Sequence, residues 1–343
     1  MKEIVINERT AGQRLDKFLQ RYLPAAGTGF LYKMLRKKNI VLNDSKATGK
    51  EVLRSSDVVK IYFSEETLRK FMGGAAKQKT SSSVPDAVLP ETWIVYEDDD
   101  LIAVNKPAGI LSQPSCSGEL SLVEYLRGYL KDIDPHYYKV GPANRLDRNT
   151  SGLVLAAKHL AAAQHLTEWI RTRMIRKYYL ALVSGIVREP VLLDGYLQRD
   201  RQANKSNITP GSAAKVPPGK KTVPKNGLQP VKTKIIPLLQ TQDDMPVTLL
   251  LVELITGRTH QIRAHLASIG HPIVGDRKYG TAELNRSAEQ RYGLTRPYLH
   301  AWKVVFPDDA CVPGNLRGRV ITAPVPEDIR NICSVPGDIL PKI

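Results

Sequence analysis

The sequence predicts an α+β fold divided into two domains, and three observations carry that expectation. Its 343 residues exceed the ~100–200 typical of one domain. The apolar runs LIAVN (101–105), LVLAA (153–157), YYLALV (178–183) and VTLLLVELI (247–255) read as strands, and HLAAAQHLTEWIRTRMI (159–175) reads as a helix set among them. Strands and helices thus mix without the regular βαβ alternation of a doubly wound sheet. Finally, a stretch of small, polar and glycine residues, KFMGGAAKQKTSSSVPDAVLP (70–90), separates this region from what precedes it.

Composition excludes several classes. Hydrophobic residues make up 42% and charged residues 24%, which fits neither wholesale disorder nor a membrane bundle. The run LLLVELI is far short of the ~20 residues of a spanning helix. MKEIVINERT carries Glu3 and Glu8 and no apolar segment of a signal peptide, so the cytoplasm is the expected compartment. Cys116, Cys311 and Cys333 are widely spaced and odd in number, which offers neither a disulfide framework nor a CxxC metal knuckle. Charge is more telling. The net value is +16, and residues 1–88 hold 17 basic and 9 acidic residues, residues 198–234 hold 9 and 1, and the remainder balances. Two cationic islands suggest a polyanion gripped at two places, against the plainer reading of a basic surface that serves solubility.

In the first island, RLDKFLQRYL places Leu15, Phe18, Leu19 and Tyr22 at helical spacing and leaves Arg14, Lys17 and Arg21 on another face. A second helix is expected over 30–38, burying Phe30, Leu31, Met34 and Leu35 and projecting Lys33, Arg36, Lys37 and Lys38. Residues 40–42 and 58–63 read as strands. The segments RLDKFL, KMLRKKNIVLN and DVVKIYF resemble the small RNA-binding domain shared by ribosomal protein S-four and many RNA-modifying enzymes, over roughly residues 14–63. That resemblance implies a small α/β RNA-binding domain over residues 1–64, with Arg14, Lys17, Arg36, Lys37 and Lys38 as RNA contacts.

Residues 65–90 then read as a flexible linker, 91–325 as the larger domain and 326–343 as a tail. Within the larger domain, 198–234 is rich in Lys, Pro, Gly and Ser and reads as a mobile basic insertion. The most informative stretch is GPANRLDRNTSGLVLAAK. Gly141 and Pro142 mark a turn and 144–152 is too polar for a core element, so Asp147 lies in a loop presented by the strand that follows. Such a carboxylate suits catalysis, although a turn former bonding its own backbone is the plainer reading. In YYLALV, alternation puts Tyr179 and Tyr178 on opposite faces, and either can be core packing. In THQIRAHLASIG, Ile262, Leu266 and Ile269 share a helical face and leave Arg263 to point elsewhere, where a surface salt bridge is the ordinary outcome. His260, His265 and His271 are spaced five and six apart with no cysteine to complete a set, so they are expected to bond backbone or phosphate and not a metal. Lys106 and Pro107 are expected to be structural, and Asp276, in the turn GHPIVGDRKYG, is a weaker candidate than Asp147.

Together NRLDRNTSGLVLAAK, KYYLALVSG, ITGRTHQIRAHLASIGHPIVGDRKYG and LHAW, with YEDDDLIAVNKPAG upstream, resemble the RluA-type pseudouridine synthases over nearly all of residues 91–306. With the basic N-terminal domain attached, the chain looks most like the members that modify large-subunit ribosomal RNA. A synthase acting on transfer RNA, and a noncatalytic RNA-binding ribosome-assembly factor that keeps the fold, are the alternatives. The resemblance implies a mixed, largely antiparallel central sheet and a reaction that detaches a uracil from its ribose in RNA, turns it and rejoins it through carbon 5, with no cofactor. Such chemistry asks for a carboxylate that attacks or abstracts a proton in a dry pocket.

By motif position Asp147 is the family's catalytic aspartate, and its route, through a sugar ester, a base adduct or a glycal, stays open. Arg263 is its partner, a guanidinium that favours the charged form that burial opposes. Tyr179, two positions after a lysine, is the phenol beside the base. Arg145 is carried over as the residue that fills or flanks the place of a flipped uridine. Asn144, Arg258 and His260 complete the expected RNA contacts. Where this chain has Asn144 the family usually has histidine, and an amide does not become cationic near neutral pH. A monomer is expected, with RNA as partner and no membrane or metal.

Overall fold

The computed structural model describes residues 1–73, 87–116, 118–130, 138–200, 202–203, 205–211, 227–241 and 244–328. Cys333, half of the expected linker (74–86), the middle of the expected insertion and nearly all of the expected tail lie outside the described residues.

The N-terminal unit is a four-stranded antiparallel sheet with three helices. Its strands β1 (Lys2–Val5), β2 (Ile40–Leu42), β3 (Ser45–Lys46) and β4 (Val58–Ile61) lie in the order β1-β4-β2-β3. Helix α1 (Leu15–Tyr22) buries Leu15, Phe18, Leu19 and Tyr22 against this sheet, as its spacing requires. Helix α2 (Thr28–Arg36) starts two residues before the expected position and ends where Lys38 takes a left-handed φ of 60°. Its Leu31 and Leu35 are buried, whereas Phe30 and Met34 pack at the margin of the core.

The expected linker does not begin at residue 65. Glu65–Met72 is a helix, α3, whose start is capped by the Ser64 hydroxyl accepting from the Thr67 amide at 3.2 Å and whose end is closed by Gly73 at φ 95°. Leu68, Phe71 and Met72 pack on the N-terminal core, with the Phe71 ring 4.7 Å from that of Phe30 and 6.3 Å from that of Phe63. The N-terminal unit therefore extends to Gly73. It also touches the central unit, since the carbonyls of Arg9 and Gly12 accept from the Ala161 amide (3.2 Å) and the Gln164 side chain (2.9 Å).

The central unit is built on a ten-stranded sheet. Its strands are β5 (Ile94–Glu97), β6 (Leu101–Lys106), β7 (Ser151–Ala157), β8 (Arg176–Ser184), β9 (Val191–Asp200), β10 (Lys205–Pro210), β11 (Gln229–Gln240), β12 (Val247–Leu254), β13 (Leu299–Val305) and β14 (Val320–Thr322). They run in the order β10-β9-β11-β12-β8-β13-β7-β6-β5, with β14 beside β13. Pairing is antiparallel except between β13 and β7, so the sheet is mixed and largely antiparallel, as expected. The expected insertion is mostly strand at its described ends: β9 runs through 198–200, β10 pairs back on it, and β11 occupies 229–234. Main-chain ladder bonds order these polar residues where side-chain burial does not.

Alternation explains the apolar runs. In β6 and β7, Ile102, Val104, Val154 and Ala156 join the core on one face, while Leu101, Ala103, Leu153 and Leu155 join the other under Leu166 and Trp169 of α5 (Leu160–Arg171). A sheet covered on both faces needs apolar residues at every position. At Gly152 (φ 112°) an added Cβ would lie 2.2 Å from the Ala301 carbonyl oxygen, so only glycine lets β7 approach β13 so closely. The remaining helices are α4 (Leu122–Tyr129), with a Ser121/Glu124 capping box, α6 (Gln261–Ser268) and α7 (Ala282–Tyr292).

Candidate active site

The loop before β7, the start of β8 and the start of α6 converge on a cavity of about 420 Å³. The loop is held from both sides. Ser112, buried, donates its hydroxyl to the Leu146 carbonyl (2.8 Å) and accepts from the Leu146 amide (3.0 Å). Lys106, fully buried at the end of β6, donates to the carbonyls of Pro107 and Ile110 at 2.8 Å and of Arg148 at 3.1 Å. Burial pushes the Lys106 ammonium down to about 7, with the Asp147 charge acting against that fall. Asp147, one residue from each clamp, accepts the Thr150 amide on its carbonyl and turns its side chain, 26% exposed, into the cavity.

Arg263 meets it there. Its Nη1 donates to Asp147 Oδ2 at 2.8 Å, while Nε and Nη2 donate to the two oxygens of Asp276 at 2.7 and 2.8 Å. Asp276 is fully buried, and its Oδ1 also accepts the backbone amides of Lys278 and Tyr279. The guanidinium is thus gripped from behind by one carboxylate and offered to the other in front, and these two charges raise its pKa against the effect of burial. The Tyr279 ring packs 5.1 Å from the guanidinium carbon. Its hydroxyl accepts the Ser206 amide of β10 (2.7 Å) and bonds His260 Nδ1 (3.1 Å). His260 Nε2 lies 3.8 Å from Asp147 Oδ2, and burial lowers the pKa of the ring, which favours the neutral imidazole.

Tyr179, 6% exposed, lines the same cavity from β8, where it pairs with Val252 and Ala301. Burial raises its pKa and the Asp147 charge adds to the effect, so the phenol stays protonated and keeps a proton to donate. The structure therefore brings Asp147, Tyr179, Arg263 and His260 together. Arg145 and Arg258 are exposed where they line the cavity, and Arg145 Nη1 donates to the Gln113 side-chain Oε1 at 3.4 Å.

Two expected RNA contacts are engaged internally. The Asn144 amide accepts from the Leu155 amide (2.8 Å) and donates to the Leu153 carbonyl (3.2 Å), so it braces β7 as a surrogate strand partner. Arg14 makes two hydrogen bonds to Asp16, at 3.1 and 2.8 Å, and Asp16 also accepts the Tyr32 hydroxyl. Lys17, Arg36, Lys37 and Lys38 stand exposed on the N-terminal unit. His265 bonds the Thr233 hydroxyl and His271 the Ser184 carbonyl, and among the described residues no cluster of His, Cys, Asp or Glu could hold a metal ion. No described helix is long and apolar enough to cross a membrane. Sequence reasoning did not single out Ser112, Tyr279 or Lys177, and only the lysine's place two residues before Tyr179 offered a signal.

Comparison with known proteins adds an independent line. The family pattern described as RNA pseudouridylate synthase matches residues 100–268. Ribosomal large subunit pseudouridine synthase C of Vibrio vulnificus is 30% identical over 335 residues, covering 95% of this chain and 94% of its own length. An uncharacterized RNA pseudouridine synthase of Bacillus subtilis, YhcT, is 30% identical and covers 96% of each chain. Among solved structures, human RNA pseudouridylate synthase domain containing 1 superposes with a TM-score of 0.51 at 27% identity, over 68% of this chain and 83% of that one.

Proposed function

Because the chain belongs to the RluA-type RNA pseudouridine synthases, enzymes that isomerise uridine in RNA, we propose that its substrate is large-subunit ribosomal RNA in the cytoplasm and that Asp147 carries the reaction. The observation that supports this most is the Asp147 carboxylate, turned into a cavity beside a protonated phenol and held at 2.8 Å by a guanidinium that Asp276 fixes from behind. In the reaction the bond from uracil N1 to the sugar carbon breaks, one from C5 forms, the C5 proton leaves and N1 regains one. Asp147 attacks or abstracts a proton at the sugar or base, Arg263 orients it, and Tyr179 packs on the base and holds its hydroxyl as a donor. Arg145, at the cavity, flanks the place left by the extruded uridine, and that extrusion costs roughly a few kcal/mol. The relatives named for the large ribosomal subunit support the choice of RNA.

The test is tritium release from large-subunit ribosomal RNA transcribed with uridine labelled at carbon 5. The wild type is expected to release label, and Asp147→Asn to lose about 10³-fold or more of the rate while still binding the RNA. Wild-type release from transfer RNA alone would replace the proposed substrate, and release unchanged in Asp147→Asn would remove the proposed carboxylate.

A further inference from the structure

Lys177 is a charged side chain in the cavity that the proposed chemistry leaves unused. It lies on β8 two residues before Tyr179, so strand alternation sends both side chains to the same face, roughly 7 Å apart along the strand. It is half-buried, pairs with Val304 of β13 and shares the cavity lining with Leu254, both apolar. Its ammonium has no hydrogen bond or ion pair among the described residues, and nearby Gly257 has no side chain to offer it one. Burial lowers its pKa below the usual lysine range with no neighbouring charge opposing the shift. Leaving an ammonium in such a place is costly unless a partner arrives.

The charges around the cavity define that partner. Arg145, Arg148, Lys177, Arg199, Arg258 and Arg263 line it, against Asp147 as the one acidic lining residue among those described. Arg148 is paired with Glu119, and Arg263 is shared by Asp147 and Asp276, so the acidic charge nearby is already engaged. A neutral uracil edge would leave Lys177 uncompensated. The anion a nucleotide carries is its backbone phosphate, which flanks the sugar and base that must enter the cavity lined by Asp147, Tyr179 and Lys177. Resting on the isomerase reading above, we propose that Lys177 is a phosphate-binding residue inside the cavity, holding a backbone phosphate adjoining the target uridine and so seating the extruded nucleotide.

The experiment uses the full chain, the same labelled ribosomal RNA transcript, and the variants Lys177→Met and Lys177→Arg. Lys177→Met keeps the aliphatic stem and removes the charge. It is expected to lower kcat/KM by about 10- to 100-fold, mainly through KM, and to make the dependence of log Kd on log salt shallower by about one in filter binding. Its Tm should equal or exceed that of the wild type, because a half-buried charge with no partner among the described residues has gone. Lys177→Arg should recover most of the lost kcat/KM. A lysine kept only for packing or folding gives the opposite pattern: unchanged kcat/KM, an unchanged salt slope or a lower Tm in Lys177→Met each overturns the proposal. Should the wild type release no tritium, the isomerase reading fails, and the salt slopes still decide the phosphate contact, equal slopes counting against it.

Discussion

At Asp276 a carboxylate with no solvent exposure holds Arg263 by both oxygens, and only the remaining Nη1 of that arginine reaches Asp147. The geometry of the proposed catalytic carboxylate thus depends on a residue that lines no part of the cavity. Asp276→Asn keeps the size but aims an amide N–H at guanidinium N–H groups, leaving a buried charge half-paired. Stability should fall by about 3–5 kcal/mol, and tritium release by about 10²-fold through misplacement of Arg263. Urea unfolding and single-turnover release measure the two. Release at the wild-type rate would mean that Asp147 positions the guanidinium without help. Asp147, Tyr179 and Arg263 were legible as residues because their motifs name them. The role of Asp276 was not, since it rests on a contact across 13 residues that no periodicity encodes. Asn144 shows the converse: a departure from the family pattern suggests altered RNA contact, yet the amide is used by the β7 backbone.

Elements with apolar stripes were readable and elements without them were not. β6, β7, β8 and β12 are continuous apolar runs because both faces of the sheet are covered there, and α1 shows its buried side every three or four residues. Helix α7 buries only Ala288 and α3 buries no residue fully, so neither raises an apolar signal. The β9–β10 hairpin is held by ladder bonds at the sheet edge, which polar sequence hides. Two histidines tie buried elements to one another: His265 of α6 to Thr233 of β11, and His300 of β13 to Ser151 of β7. Burial pushes them down to about 4 and about 3. Their folded pKa values lie below the unfolded 6.5, so unfolding takes up a proton at each, and stability falls as pH drops below about 6.5 toward those values. Each adds about 1.4 kcal/mol per pH unit to that fall. In urea titrations between pH 6.5 and 4.5, His300→Asn should remove one such increment. A slope equal to that of the wild type would show that His300 protonates without unfolding.

For the whole molecule, charge asymmetry and the two-part division follow from the sequence, while the place of division and the contact between the parts do not. The N-terminal core ends in α3, whose Leu68, Phe71 and Met72 cover Phe30 and Phe63. A deletion of residues 1–64 therefore leaves these apolar side chains on the remaining chain without their partners, whereas a deletion of residues 1–73 removes the unit intact. The shorter deletion should self-associate more, as seen by light scattering, because the stranded apolar face has nothing to cover it. The longer one should remain folded, since the central unit has its own cores on both faces of the sheet and gives up contacts such as those that Arg9 and Gly12 make with Ala161 and Gln164. It also removes the exposed Lys17, Arg36, Lys37 and Lys38. RNA affinity should then fall, with a shallower salt dependence, as expected when phosphate contacts are lost. Single-turnover release at saturating RNA should persist, because every residue lining the cavity lies beyond position 110. Loss of cooperative unfolding in the longer deletion would show instead that docking on α5 is part of what folds the central unit.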